Sequence, residues 1–337
     1  MSFPALLKKV AAAETLSHDE MQQALAGILD GQASQEGTAA FLTALRVRGE
    51  TIDEVAAAVG LLKQRALSIK APLGTVDTCG TGGDGADSFN ISTAVAFVLA
   101  GGGVPVAKHG NRAVSSQSGS SDVLTELGVD IRLPLTEVER GLAENGIAFL
   151  FAPNHHPALA KVAPVRKALG FRTLFNMLGP LLNPAGAKRQ LIGVFSPDLM
   201  RLMAEVAQRM GSTDLWMVHG AGGLDELSLE GENRVCQLKD GKLTEFIVTA
   251  SDAGLEALPN DALRGGDAKT NAAALEALLA GEKSAYREVV LFNAAAGFIV
   301  AGKAPDLKTG VRLAVRSLDE GLAQSKLKAL RERGRTS

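Results

Sequence analysis

The octapeptide Asp77-Thr78-Cys79-Gly80-Thr81-Gly82-Gly83-Asp84 carries the densest chemistry in the chain. Glycines at 80, 82 and 83 let the backbone approach a ligand closely and aim several N–H groups at an anion. Gly80, Gly82 and Gly85 also satisfy the spacing GxGxxG. A dinucleotide fingerprint must open a helix at once and be followed about 20 residues later by an acid for a ribose. Here no helix can begin before Ser92, and no acidic residue stands between Asp87 and Asp122. The dinucleotide reading fails on both counts, and no Gly-Lys-Ser/Thr ending supports a Walker-type loop. The glycine run alone is left as a phosphate loop or a tight structural turn.

The stretch that follows bears on that choice. From Ser88 to Ser121 the only formal charges are Lys108 and Arg112, although 21% of the chain is charged. The same stretch holds Asn90, Ser92, Thr93, Asn111, Ser115, Ser116, Ser118 and Ser120. Hydroxyls, amides, glycine N–H groups and two cations, with no carboxylate among them, make a cradle suited to phosphate. Asn90 and Ser92 stand just ahead of an apolar helical run, where they can cap it and face the ligand. A serine-rich surface loop is the plainer alternative.

Asp225-Glu226 supplies the acid that the cradle lacks. Magnesium takes one or two carboxylates and fills its other positions with water and substrate phosphates. An acidic pair facing a phosphate loop fits that; alone it is as readily a solvated surface pair. Arg166, followed by Arg172, can grip a substrate carboxylate bidentately or simply be a helix-surface charge. His109, beside Lys108, is either a donor in the site or a loop-packing residue. His155-His156-Pro157 has no metal-ligand spacing, and five histidines without HExxH argue against zinc. Asn293 reads as a satisfied amide in an apolar helix.

These residues need elements to position them. The first seventy residues read as short helices. Ser17-His18-Asp19-Glu20 and Thr51-Ile52-Asp53-Glu54 are capping boxes, each ahead of apolar residues at helical spacing. After Pro72 the texture changes to alternating strand and helix. Strands are expected at Thr75–Cys79, Val104–Ala107, Ile147–Phe151, Leu191–Phe195 and Leu215–Val218. Helices are expected at Thr93–Ala100, Ser121–Leu127 and Ala158–Leu169, and after Pro197. Such alternation implies a largely parallel sheet covered by helices. Asp240-Gly241, between Arg234–Leu238 and Lys242–Val248, reads as a hairpin turn. The chain should end in helices near Ala268–Leu279, Tyr286–Val300 and Val311–Leu330. This gives a helical unit at residues 1–72, with an excursion back into it at about residues 173–187, and an α/β unit at 73–172 and 188–337.

The bulk numbers set limits on partners. With 337 residues and 46% hydrophobic content, one large or two ordinary domains can each bury a core. A net charge of −2 gives no long-range pull on nucleic acid or a membrane surface. Cys79 and Cys236 fit no zinc or disulfide framework. No uncharged apolar run reaches the roughly 18 residues of a membrane span, and Met1–Leu16 has no signal layout, so the cytoplasm is expected.

With these residues in view, the chain resembles the anthranilate phosphoribosyltransferase family over nearly its whole length. The blocks that carry the resemblance are Gly80–Asp84 (GTGGD), Asn90–Thr93 (NIST), Lys108–Ser116 (KHGNRAVSS), Arg172–Pro184 (RTLFNMLGPLLNP) and Gly223–Ser228 (GLDELS). The resemblance implies an enzyme that transfers the phosphoribosyl group of 5-phospho-α-D-ribose 1-diphosphate to the amine of anthranilate, the second step of tryptophan synthesis from chorismate. It implies a fold of the nucleoside phosphorylase/phosphoribosyltransferase type: a small N-terminal α-helical domain, a larger α/β domain with a mostly parallel sheet, and a homodimer joined through the helical domain. Gly80, Gly83 and Asp84 then shape the loop that holds phosphoribosyl pyrophosphate. Ser88, Asn90, Ile91, Ser92 and Thr93 contact its phosphates. Lys108, His109, Gly110, Asn111, Arg112, Ala113, Val114, Ser115 and Ser116, with Ser120, complete the cradle, and Lys108 and His109 carry the catalytic roles. Ser92, Asp225 and Glu226 hold magnesium, two ions per site. Gly80, Asn111 and Arg166 position anthranilate. Ser88 departs from the family's more usual threonine but keeps the hydroxyl. A pyrimidine nucleoside phosphorolysis enzyme shares the architecture; the RTLFN block and the acidic pair after Gly-Leu favour the anthranilate reading. A catalytically silent relative is disfavoured by the intact GTGGD and KHGNR blocks.

Overall fold

A computed structural model describes residues 1–112 and 117–336. Its centre is a seven-stranded sheet: β1 (Val76–Asp77), β2 (Val106–Gly110), β3 (Ile147–Phe151), β4 (Arg189–Gly193), β5 (Asp214–His219), β6 (Asn233–Lys239) and β7 (Lys242–Val248). The order is β3-β2-β1-β4-β5-β6-β7. The pairs from β3 through β5 are parallel, and β6 and β7 close the far edge antiparallel. The hairpin turns at Asp240-Gly241, both with positive φ (50° and 71°). From neighbouring β1 and β4 the chain winds outward in opposite directions, so a crevice opens between their carboxyl ends. In open α/β sheets that crevice is where ligands bind.

The four N-terminal helices, Phe3–Ala11, His18–Leu29, Gln35–Arg48 and Ile52–Gln64, start where local chemistry says they should. Ser17 and Thr51 both form complete capping boxes with Glu20 and Glu54. Phe41, Leu42 and Leu45 are wholly buried in the core these helices share. Burying each such side chain contributes about 1.5–3 kcal/mol. Glu54 is also fully buried. It accepts from the Leu16 and Thr51 N–H groups and pairs with Arg48.

This helical core is continuous with one face of the sheet. Val162, Val165 and the segment Leu174–Leu182 pack into it, as do Ile192 of β4 and Leu215 and Met217 of β5. The excursion is tied back to the sheet by Asn183 Nδ2 donating to the Ala107 carbonyl (2.8 Å) and Gln190 Nε2 donating to the Pro180 carbonyl (2.7 Å). The other face is covered by the helices Ile91–Gly101, Ala285–Val300, Leu307–Asp319 and Leu322–Thr336. The periodicity predicts the last two as one helix; Gly321, at φ +69°, divides them. The helix Leu135–Asn145, absent from the sequence reading, is amphipathic: Leu135, Val138 and Leu142 share one face and pack with Ala148 and Leu150 of β3.

Candidate functional site

The crevice between β1 and β4 is lined by Thr78, Gly80, Ser92, Gly193, Asp225, Glu226 and Asn293. Close backbone approach builds it. A Cβ added to Gly193 would lie 1.3 Å from the Asp225 carbonyl oxygen, and one on Gly80 would lie 3.1 Å from Asp225 Oδ2. Only glycine permits the loops after β1, β4 and β5 to meet this tightly. The Thr81 N–H donates to the Gly193 carbonyl (2.9 Å), and the Phe195 N–H donates to Thr81 Oγ1 (3.1 Å).

Asp84, Asp225 and Glu226 converge here, each offering an oxygen within 4.8 Å of the others. The Gly82 N–H donates to Asp225 Oδ2 (2.7 Å), and the Asp225 N–H donates to Asp84 Oδ2 (3.2 Å). Burial, reinforced by the charge of Asp84, pushes the Asp225 carboxyl up to about 6. Burial and the neighbouring Asp225 push Glu226 well above the usual carboxylate range. Glu226 Oε2 is buried with no partner. Three crowded carboxylates, one with an orphaned oxygen, are a donor set that a divalent cation would relieve. Sequence reasoning assigns Asp84 to the glycine loop alone. Its bond to the Asp225 backbone, 141 positions away, is what brings it to the acidic pair.

Asn90 precedes the helix Ile91–Gly101 but makes no side-chain cap. Its Oδ1 accepts from Asn271 Nδ2 (2.9 Å) and Ser118 Oγ (3.3 Å) instead. The expected capping role gives way to a tie between the loops after β1 and β2. Ile91, Ser92 and Thr93 form the first helical turn; the Ile91 N–H donates to the Phe89 carbonyl (2.8 Å), and those of Ser92 and Thr93 have no acceptor within the helix and so favour an anion. Thr93 Oγ1 is buried without a partner. Ser88 bridges to Arg264, and the Tyr286 hydroxyl donates to the Asn90 carbonyl (3.1 Å) while its ring stacks on Phe89. Asn271 and Tyr286 are not visible in the sequence, where nothing local marks them.

Sequence reasoning places Lys108 and His109 together in the cradle. They lie in β2, whose alternation sends them to opposite faces. Lys108 lies beside Thr93 and Phe149, is almost fully buried, and makes no ion pair or hydrogen bond among the described residues. Its charge acts on Asp77 and Glu226. His109 turns toward the helical side, where Nδ1 meets the Gly179 carbonyl (3.1 Å) and the ring packs edge-on against His156. Burial, with His156 beside it, pulls His109 down to about 3, so it is neutral at physiological pH. Beyond β2, Gly110 accommodates Ser120, whose Oγ would be 2.4 Å from an added Cβ, and Ser120 Oγ donates to the Asn111 carbonyl (3.4 Å). Arg112 is exposed. Ala113, Val114, Ser115 and Ser116 lie outside the described residues.

Arg166, in the helix Ala163–Leu169, is held over the Phe175 ring at 5.6 Å. No carboxylate pairs with it among the described residues. Arg172 lies over Phe195 and donates to the Gly83 carbonyl. The structure therefore gathers Gly80, Asp84, Ser92, Asp225 and Glu226 at one crevice. Lys108 stands on one side of the sheet, and His109 and Arg166 stand with the helical segments.

Known proteins share this arrangement. Residues 4–66 match the glycosyl transferase family helical bundle domain, and residues 73–324 match the glycosyl transferase family a/b domain. The anthranilate phosphoribosyltransferase of Rhodopseudomonas palustris (strain HaA2) is 51% identical over 330 residues, covering 98% of each chain. That of Afipia carboxidovorans is 51% identical over 328 residues, covering 97% of each. Among solved structures, anthranilate phosphoribosyltransferase from Thermus thermophilus is 43% identical with a TM-score of 0.93, covering 98% of this chain and 99% of its own. The Saccharomyces cerevisiae enzyme in complex with PRPP and Mg is 29% identical with a TM-score of 0.91, covering 99% of this chain and 98% of its own. With that crevice, that domain pairing and that degree of identity, the chain belongs to the anthranilate phosphoribosyltransferase family.

Proposed function

We propose that the β1–β4 crevice joins anthranilate to phosphoribosyl pyrophosphate, giving N-(5-phosphoribosyl)anthranilate and pyrophosphate. The observation that carries this reading is the acidic cluster Asp84–Asp225–Glu226 set against a glycine loop and a helix N-terminus at the switch point of the sheet. A diphosphate sugar needs both: N–H groups for its phosphates and carboxylates for the metal it carries. Asp225 and Glu226, with Asp84 and Ser92, would hold magnesium, and with the substrate's phosphate oxygens they would offer donors enough for two ions. Bound magnesium supplies charge neutralisation for the departing pyrophosphate.

The remaining work falls to the chain itself. Gly80, Gly83, Ser92 and Thr93 offer N–H groups to the phosphates, with Asn90 and Ile91 setting the turn and Ser88, the loop Gly110–Ser116 and Ser120 around them. Lys108 contributes positive charge from a buried position, where it is screened least. Arg166 donates to the carboxylate of anthranilate, aided by Gly80 and Asn111, and so orients the amine. The amine lone pair forms the C–N bond as the anomeric C–O bond breaks, with inversion. An aromatic amine is neutral near pH 7 and needs no base to attack. His109, held at about 3, serves the site by packing rather than as a proton acceptor. We further propose a cytoplasmic homodimer joined through the helical unit, where Val47 stands 82% exposed on the helix Gln35–Arg48. Substrates this highly charged do not cross membranes unaided, which favours the cytoplasm.

The test is loss of anthranilate fluorescence by the purified chain. Loss that requires both magnesium and phosphoribosyl pyrophosphate supports the proposal. No loss from folded protein, with phosphate-dependent release of a pyrimidine base instead, would replace it with nucleoside phosphorolysis.

A further inference from the structure

The acidic pair sits on a loop between β5 and β6, so its position must be fixed from outside. Asn293, in the middle of the helix Ala285–Val300 and only 1% exposed, does this with three hydrogen bonds that use both of its N–H donors and its oxygen. Its Oδ1 accepts the Leu227 N–H (2.9 Å), and its Nδ2 donates to the Leu227 carbonyl (2.9 Å) and to the Val289 carbonyl (2.9 Å). The amide thus gives Leu227 both bonds that a neighbouring strand would give, and the bond to Val289 prevents it from flipping. Leu227, wholly buried, directly follows Glu226. The next residue is gripped as well: the Ser228 N–H donates to Asn233 Oδ1 (2.6 Å).

The same helix reaches the phosphate cradle. Tyr286, seven residues before Asn293, donates to the Asn90 carbonyl. Seven residues bring the two side chains to one helix face, about 10 Å apart along the axis. We propose that Asn293 is a positioning residue for the transfer reaction, fixing Glu226 through Leu227 at a set distance from the cradle that Tyr286 holds. This rests on the reading of Asp84, Asp225 and Glu226 as the magnesium site.

The experiment uses the full-length protein with Asn293→Ala and Asn293→Asp, the latter keeping the volume and an acceptor for the Leu227 N–H. Manganese binding, read by its spin-resonance signal, and the magnesium concentration for half-maximal velocity are measured beside melting temperature. Loss of an outer partner should weaken metal binding about tenfold to a hundredfold, the usual range for groups that orient metal ligands. The KM for anthranilate should stay near wild type, and excess magnesium should restore much of kcat. A folded variant that binds manganese like wild type overturns the proposal, because lost packing alone lowers melting temperature without moving metal affinity. Glu226→Gln separates the two readings: if it too leaves manganese binding intact, the metal site is wrong and the positioning role falls with it. Should neither Asn293 variant fold, amide exchange in the native protein decides. Exchange at Leu227 as slow as in the helix Ala285–Val300 supports the clamp, and exchange at the rate of an open loop refutes it.

Discussion

Asp225→Asn should make the metal-free protein more stable while removing its activity. Burial is the larger cause of the raised Asp225 value and the charge of Asp84 the second, so the ionised carboxylate is under strain in the folded state. The carboxyl is pushed up to about 6 from 3.8, which puts a strain on the order of 3 kcal/mol against folding on this carboxyl and its neighbour Glu226 once Asp225 is ionised. The sign follows from proton counting. A carboxyl with a raised folded value contributes stability that is complete below its unfolded value and is lost as pH rises through its folded value. Wild type therefore loses stability between about pH 4 and pH 6 from this group, and the asparagine variant does not. The amide still accepts the Gly82 N–H, so the loop keeps its bond. Chemical denaturation of both proteins in chelator should show the variant gaining on wild type as pH rises, by on the order of a few kcal/mol, since removing the Asp225 charge also relieves its neighbour Glu226. Adding magnesium with phosphoribosyl pyrophosphate should reverse the order, because ligand stabilises only the protein that binds it. Turnover should fall by at least about a hundredfold. A variant less stable than wild type by the same amount at every pH would refute the reasoning and make Asp225 a plain structural acceptor.

Four other perturbations probe separate parts of the molecule. Lys108→Met should cut kcat by about a hundredfold to a thousandfold, as removal of a buried charge-stabilising donor does, with little change in the KM for anthranilate under steady-state assay. Arg166→Ala should raise the KM for anthranilate by roughly tenfold to a hundredfold and leave that for phosphoribosyl pyrophosphate nearly unchanged, since a charge-assisted bond is worth about 1.5–3 kcal/mol. Glu54→Ala should cost the helical unit about 3–5 kcal/mol in denaturant titrations, because it strands the Arg48 charge and the Leu16 N–H. His109 has a lowered value, so its contribution is present above its unfolded value near 6.5 and is lost as pH falls toward about 3. Relative to His109→Asn, wild type should lose about 1.4 kcal/mol per pH unit in that window, and parallel curves for the two proteins would contradict the buried neutral ring.

What the sequence makes legible is what it specifies locally. Ser17-x-x-Glu20 and Thr51-x-x-Glu54 announce helix starts because a capping box closes within four residues. The glycine loop and the acidic pair are visible because their chemistry is written in adjacent residues. The β2 segment is harder. Its strand runs Val106–Gly110, two residues later at its start than Val104–Ala107, because Lys108 and His109 interrupt the apolar pattern that marks a buried strand. That small shift decides where the two side chains go: in a loop they can share one side, whereas in a strand they face opposite ways. Asn271 and Tyr286, and the distant partners of Asp84 and of the satisfied amide Asn293, escape for a different reason. Each acts through a bond to a residue between 66 and 196 positions away, and no local period reports such a partner. The winding of the sheet brings these partners together. It sets the loops after β1, β4 and β5 side by side at the switch point, and the helix Ala285–Val300 bonds to the first through Tyr286 and to the last through Asn293. A single amide on that helix therefore fixes the residue next to an acidic cluster whose carboxylates come from two distant stretches of chain.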